Sequence, residues 1–85
     1  MEIRLTDPAR EEIKRFLHSG KKNVVKKIET LLEEIKHSPF EGTGKPEALK
    51  HHLSGMWSRR INKEHRIVYE VIDDVVLIHS VKGHY

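Results

Sequence analysis

Apolar residues along the chain follow successive rhythms, and each rhythm predicts a different element. Over Glu2–Leu5 polar and apolar positions alternate, with Ile3 and Leu5 on one side, the pattern of a short half-buried strand. Asp7-Pro8 reads as a helix start, with Asp7 as the N-cap and proline at the first helical position, where a missing N–H costs nothing. Glu11 and Glu12 follow in the first turn, where the helix dipole favours negative charge. Ala9, Ile13, Phe16 and Leu17 share one face of this helix, and Ser19-Gly20 closes it with the residue best suited to a left-handed turn. Over residues 21–37 the positions Val24, Val25, Ile28, Leu31, Leu32 and Ile35 recur at helical spacing, the strongest structural signal in the chain. Lys26, Lys27, Glu29, Glu33, Glu34 and Lys36 occupy the opposite, solvated face. With only Gly20 between them, the two helices form an antiparallel hairpin.

Ser38-Pro39 stops the second helix, and Glu41-Gly42-Thr43-Gly44-Lys45-Pro46 continues no regular element. Its glycines lack the Walker spacing and the serine or threonine that follows it, which excludes that type of nucleotide cradle. From Met56 the period changes to two. Residues 56–62, Arg66–Ile72 and residues 75–81 read as three strands, the last two joined by a tight Asp73-Asp74 turn. In the middle strand Ile67, Tyr69 and Val71 face the helices, while Arg66, Val68 and Glu70 point away. Successive short turns imply an antiparallel meander to which the N-terminal strand adds an edge. The expected fold is α+β, with two N-terminal helices packed on a mainly antiparallel sheet of about four strands. Eighty-five residues are expected to form one domain over 1–85, since so short a chain has little apolar area to divide.

Composition narrows the setting. The absence of cysteine excludes disulfides and thiolate metal sites and fits a reducing cytoplasm. No run approaches the roughly 18 apolar residues of a membrane span, and the first residues lack the basic-then-apolar order of a signal peptide, so a cytoplasmic protein without a membrane partner is expected. The net charge of +3 is modest, but its placement is not. Between Lys45 and Arg66 stand Lys45, Lys50, Arg59, Arg60, Lys63 and Arg66 against Glu47 and Glu64, a net of +4. The rest of the chain therefore sums to −1. A polyanion is drawn to that stretch, because phosphate contacts supply most non-specific affinity for nucleic acid. A solvated surface with chance clustering gives the same composition.

Cleaving RNA without a metal requires a base for a 2′-hydroxyl, a cation for the charge that develops at phosphorus, and an acid for the departing 5′-oxygen. Glu47 in the irregular loop, Arg66 at a strand start and His84 supply the right residue types, although many chains of this length contain such a trio. The motifs around them are more specific. Pro39-Phe40-Glu41-Gly42-Thr43-Gly44-Lys45-Pro46-Glu47-Ala48-Leu49-Lys50-His51, then Leu53-Ser54-Gly55-Met56-Trp57-Ser58-Arg59-Arg60-Ile61, then Glu64-His65-Arg66-Ile67-Val68-Tyr69 and His84-Tyr85 stand in one order and spacing. Over residues 24–85 this pattern resembles the YoeB toxins of the RelE superfamily.

The resemblance implies a ribosome-dependent endoribonuclease, the toxin of a type II toxin-antitoxin pair. It implies Glu47 as general base, Arg66 as the clamp on the scissile phosphate, His84 as general acid and Tyr85 as a positioning residue. Lys50 and Arg60 add positive charge around the phosphate, with His51 and Arg59 on the same RNA-binding surface. It further implies messenger RNA in the A site of the 30S ribosomal subunit as substrate, no cofactor, a YefM-like antitoxin as partner, and the sheet face as a surface for antitoxin or a homodimer. The chain departs from the family pattern at Gly83, where a bulky residue usually precedes the terminal His-Tyr; glycine there implies a less stiff tail. An alternative reading is a toxin of RelE/ParE fold, or an inactive homologue, that acts by protein binding without cleaving RNA. His51, His52 and His65 lack a spacing such as His-Glu-x-x-His, so no metal site is expected.

Overall fold

Strand, helix hairpin and meander follow one another in the computed structural model, which describes residues 1–83; His84 and Tyr85 lie outside the described residues. β1 (Glu2–Leu5) leads into α1 (Asp7–His18) and α2 (Lys22–His37), and then β2 (Glu47–Ala48), β3 (Met56–Arg60), β4 (Arg66–Ile72) and β5 (Val75–Ser80) follow. The sheet has five strands in the order β1-β5-β4-β3-β2. β1 runs parallel to β5, with Ile3 opposite Val76, and the other pairings are antiparallel. The fifth strand adds to the expected four, because Glu47 and Ala48 leave the irregular loop to pair with Ser58 and Trp57. Without them the edge of β3 would present unpaired backbone groups, and even a two-residue strand satisfies part of that edge.

Local chemistry explains where the helices begin and end. Thr6, not Asp7, caps α1, its Oγ1 accepting the Ala9 N–H at 3.2 Å, and Asp7 takes the acidic place in the first turn. Gly20, at φ +78°, turns the chain into α2. With the cap at Thr6, Glu11 and Glu12 fall beyond the first turn expected for them, and Glu12 instead reaches the sheet. Its Oε1 accepts the Val81 N–H at 2.8 Å and the Ser80 hydroxyl at 3.1 Å, tying α1 to the exit of β5. Phe16 is buried while Leu17, one residue further round α1, turns outward and is half exposed.

The core lies between the hairpin and one face of the sheet. Ala9 and Phe16 from α1 and Val25, Ile28, Leu31 and Ile35 from α2 meet Ile67, Tyr69, Val76 and Ile78, with Ile61 and Val81 at the strand ends. Each large apolar side chain buried this way stabilises the fold by about 1.5–3 kcal/mol. The β4–β5 register slips between Val68 and Tyr69, so that Val68 opposes Ser80 whereas Tyr69 opposes Ile78. Such a bulge bends the strand locally, here where β5 passes the start of β4.

Ile35 is fully buried, so Ile35→Ala is expected to cost about 2–5 kcal/mol in denaturant unfolding. Glu29→Ala, on the exposed face of α2, should stay within about 0.5 kcal/mol of the parent. Similar costs for the two would contradict the assignment of the inner face.

Candidate functional site

Alternation along β3 sends Met56, Ser58 and Arg60 to one side of the sheet and Trp57 and Arg59 to the other. Ser58 lies opposite Val68, Arg60 opposite Arg66, and Glu47 opposite Ser58. Directly opposed residues share a face. Glu47, Ser58, Arg60 and Arg66 therefore gather on the face away from the helices, as the spacing of Arg66 predicts.

Arg66 is the best-held member. Its Nε donates to the Ser58 hydroxyl at 3.0 Å, and its Nη2 lies 3.4 Å from Glu47 Oε1. The arginine side chain is only 13% exposed, while the carboxylate side chain is 61% exposed. The guanidinium is thus pinned from below by a buried hydroxyl, and the carboxylate reaches it from solvent. An ion pair with one partner so exposed contributes about 0–1 kcal/mol, leaving the carboxylate free to exchange arginine for another partner. Arg60 is exposed beside it. Two arginines directly opposite each other on neighbouring strands repel, a cost that a bound anion would offset.

Lys50 and His51 are exposed in the segment after β2, with His51 at φ +60° opening a single 3-10 turn. Arg59 departs from the expected RNA-binding set. It is fully buried, and its Nη2 donates to the carbonyls of Ser38, Pro39 and Glu41 at 3.0, 3.4 and 2.8 Å. Its Nη1 lies 3.7 Å from Glu34 Oε1. Facing inward, Arg59 is closed to phosphate. A shallow concavity of about 760 Å³ against α2 is lined by Glu29, Glu33, Glu34 and Glu41, acidic walls that repel RNA.

The chain beyond β5 is held beside Arg66 at Gly83, through one backbone partner and one side chain. The Arg66 N–H donates to the Gly83 carbonyl at 3.0 Å, and the Gly83 N–H donates to His65 Nδ1 at 3.1 Å. His65 stands edge-on to Phe16, with centroids 5.1 Å apart. His84 and Tyr85, the expected acid and its companion, follow Gly83 in the chain and fall outside the described residues. Sequence reasoning missed Ser58, His65 and Glu12. Only Ser58 left a signal, its two-residue spacing from Arg60.

The loop before β2 is anchored at several points. The Thr43 N–H donates to Glu34 Oε1 at 3.0 Å, the Arg60 N–H to the Gly44 carbonyl at 2.8 Å, and the Tyr69 hydroxyl to the Pro39 carbonyl at 2.5 Å. Burial raises the pKa of Tyr69, so its hydroxyl stays a donor. Gly44, at φ +87°, passes so close to Arg60 that a Cβ would meet its backbone oxygen at 2.6 Å. Among the described residues no three histidine, aspartate or glutamate side chains converge as a metal site would require.

Comparison with known proteins identifies relatives of the whole arrangement. The family description "YoeB-like toxin of bacterial type II toxin-antitoxin system" matches residues 6–85. Toxin YoeB of Escherichia coli (strain K12) is 58% identical over 64 residues, covering 75% of this chain and 76% of that protein. The solved YoeB/ParE toxin from Agrobacterium tumefaciens superposes with a TM-score of 0.94 at 34% identity, each chain fully covered. YoeB from Staphylococcus aureus, 48% identical over 100% of this chain and 98% of that one, is solved in a YoeB-YefM complex and as a YoeB dimer, with TM-scores of 0.87 and 0.88.

Glu34 gives the loop a pH dependence of defined sign. Its carboxyl is held below the ordinary 4.5, first by the Thr43 N–H and then by the Thr43 side chain, Arg59 and Lys27, against an opposing effect of burial. A depressed carboxyl stabilises the folded state fully above about 4.5, and that contribution disappears as pH falls through the lowered value. Thermal melting from about pH 6 down to about pH 3 should therefore drop more steeply for the parent than for Glu34→Gln. Parallel acid limbs would remove this carboxylate from the stability of the loop.

Proposed function

The chain belongs to the YoeB-like toxins of bacterial type II toxin-antitoxin systems, and from that premise we propose that it is a ribosome-dependent endoribonuclease that cuts messenger RNA by metal-independent acid/base chemistry. The observation that carries this reading is the Glu47–Arg66 contact on the open face of the sheet, a carboxylate and a guanidinium 3.4 Å apart beside a second arginine. A phosphodiester entering there satisfies both arginines. As it displaces Glu47 from Arg66, it frees the carboxylate to meet the neighbouring 2′-hydroxyl.

In the proposed reaction Glu47 takes the 2′-hydroxyl proton, and the 2′-oxygen attacks phosphorus. Arg66 stabilises the charge gathering on the non-bridging oxygens, and Ser58 keeps its fork aimed. His84 protonates the departing 5′-oxygen, with Tyr85 positioning it, so that the products carry a 2′,3′-cyclic phosphate and a 5′-hydroxyl. Lys50, His51 and Arg60 draw the RNA backbone to the site. Electrostatic stabilisation of this kind usually supplies the largest single share of the rate.

The substrate in this reading is messenger RNA in the A site of the 30S subunit, which places the protein in the cytoplasm. Among the described residues no helix is long and apolar enough to cross a membrane. A YefM-like antitoxin and a second copy of the chain are the proposed protein partners, a reading supported by the complex and the dimer of the Staphylococcus aureus relative.

Primer extension on ribosome-bound messenger should report cuts with the parent and none without ribosomes. Glu47→Gln should lower cleavage about 100-fold or more while melting stays unchanged, since the pair it breaks is exposed. Arg66→Gln should lose a similar factor and also about 1–3 kcal/mol, because the buried Ser58 hydroxyl loses its partner. Undiminished toxicity of Glu47→Gln would favour action by protein binding instead. Cleavage should persist in chelator while sedimentation shows intact ribosomes, and complete inhibition under those conditions would overturn the metal-independent mechanism.

A further inference from the structure

Among the described residues, Arg59 is the one charged side chain in the buried polar set, Ser58 and Ser80 being the others. Taking a guanidinium out of water costs several kcal/mol unless its donors are well used, and burial of an ion is in general no route to stability. Here Nη2 serves three carbonyls, of Ser38, Pro39 and Glu41, while Nε and Nη1 have no hydrogen-bond partner among the described residues. The strength of the side chain is thus directed at one short stretch of backbone, the turn that leaves α2.

That turn is the start of the path to Glu47. From Glu41 the chain passes Gly42, where a Cβ would meet Glu34 Oε1 at 2.9 Å and Arg59 Nη1 at 3.1 Å, and then Gly44, where a Cβ would meet Arg59 Cγ at 2.6 Å. Both glycines have positive φ, and at each of them the loop passes close against the Arg59 side chain. The Gly44 carbonyl then takes the N–H of Arg60, the next residue of the same strand, and three residues later Glu47 pairs with Ser58. One strand, through Arg59, Arg60 and Ser58 in turn, therefore sets both the course of the loop and the point at which its carboxylate reaches Arg66.

We propose that Arg59 is a positioning residue for cleavage, an internal cation around which residues 38–44 are wound so that Glu47 is delivered to Arg66. The assignment rests on the nuclease reading above and replaces direct contact of Arg59 with RNA. Arg59 acts through Glu47, and its neighbours Glu34 and Tyr69 share the task by holding Thr43 and Pro39.

The test compares Arg59→Met, Arg59→Lys and Tyr69→Phe with the parent and with Glu47→Gln, in single-turnover cleavage of ribosome-bound messenger. Methionine fills the buried space without charge but leaves the carbonyls of Ser38, Pro39 and Glu41 without their donor, so part of the stability is lost with it. Assayed well below its lowered melting temperature, Arg59→Met is expected to keep its half-saturating ribosome concentration while the maximal rate falls about 10- to 100-fold, the usual effect of misplacing a reacting group by an ångström. Arg59→Lys, which restores a cation to the carbonyls, should recover part of that loss. Tyr69→Phe leaves the ring in the core and frees only Pro39, so it should show a smaller fall in the same parameter. Amide exchange at Thr43 and Arg60 should quicken in Arg59→Met by a larger factor than that at Val71, which follows the loss of global stability.

Arg59→Met cleaving at the parental rate, while Glu47→Gln does not, would overturn the positioning role and leave the nuclease reading intact. Glu47→Gln cleaving at the parental rate would remove the nuclease reading and this inference with it. Should Arg59→Met fail to fold, Tyr69→Phe decides: a parental rate with faster exchange at Arg60 would refute the link between loop and carboxylate.

Discussion

A guanidinium held between a buried hydroxyl and an exposed carboxylate is the feature on which the rest of the molecule converges. Arg66 stands at the first position of β4, and its direction follows from the Ser58 hydroxyl beneath it and Glu47 beside it. Ser58 can play that part only because β3 pairs with β4 in a register that sets Ser58 against Val68 and Arg60 against Arg66. A slip of one residue would turn all of these side chains into the core. The apolar face of the helix hairpin guards against such a slip, since Ile67 and Tyr69 must face it.

Burial divides the charged residues by task. Arg59 and Arg60 are neighbours in sequence and face opposite sides of one strand; the first is enclosed and bound to carbonyls, the second is open to solvent. Arg66 lies between these extremes, restrained by its partners yet reachable from outside. Glu47, mostly exposed, is the member free to move. A rigid cation with a mobile carboxylate suits a reaction in which charge builds at a fixed phosphorus while a proton travels.

Much of this was legible in the chain, and the reasons differ by element. The helical stripe from Val24 to Ile35 and the two-residue period of the meander carried the fold, and the same period assigned Arg66 to the open face. Applied to β3, that period also separates Arg59 from Ser58 and Arg60; grouping Arg59 with RNA-binding residues overlooked it. Glu47–Ala48 is too short to carry any period, so β2 was hidden within the loop. Thr6 and Asp7 are both good caps, and the intrinsic preference for aspartate pointed to the wrong one of two adjacent positions. The links from Glu12 to Val81 and from His65 to Gly83 join distant positions, where no local pattern speaks.

The central claim, that a 2′-hydroxyl activated beside Arg66 does the cutting, is most directly tested on the substrate. Messenger carrying a single 2′-deoxyribose at the scissile position keeps its phosphate and its pairing but lacks the nucleophile. The account predicts that ribosome-bound substrate of this kind stays intact under conditions in which the all-ribose messenger is cut to a 2′,3′-cyclic phosphate and a 5′-hydroxyl. Cleavage of the deoxy substrate at an undiminished rate would mean that water attacks phosphorus instead, and would contradict it.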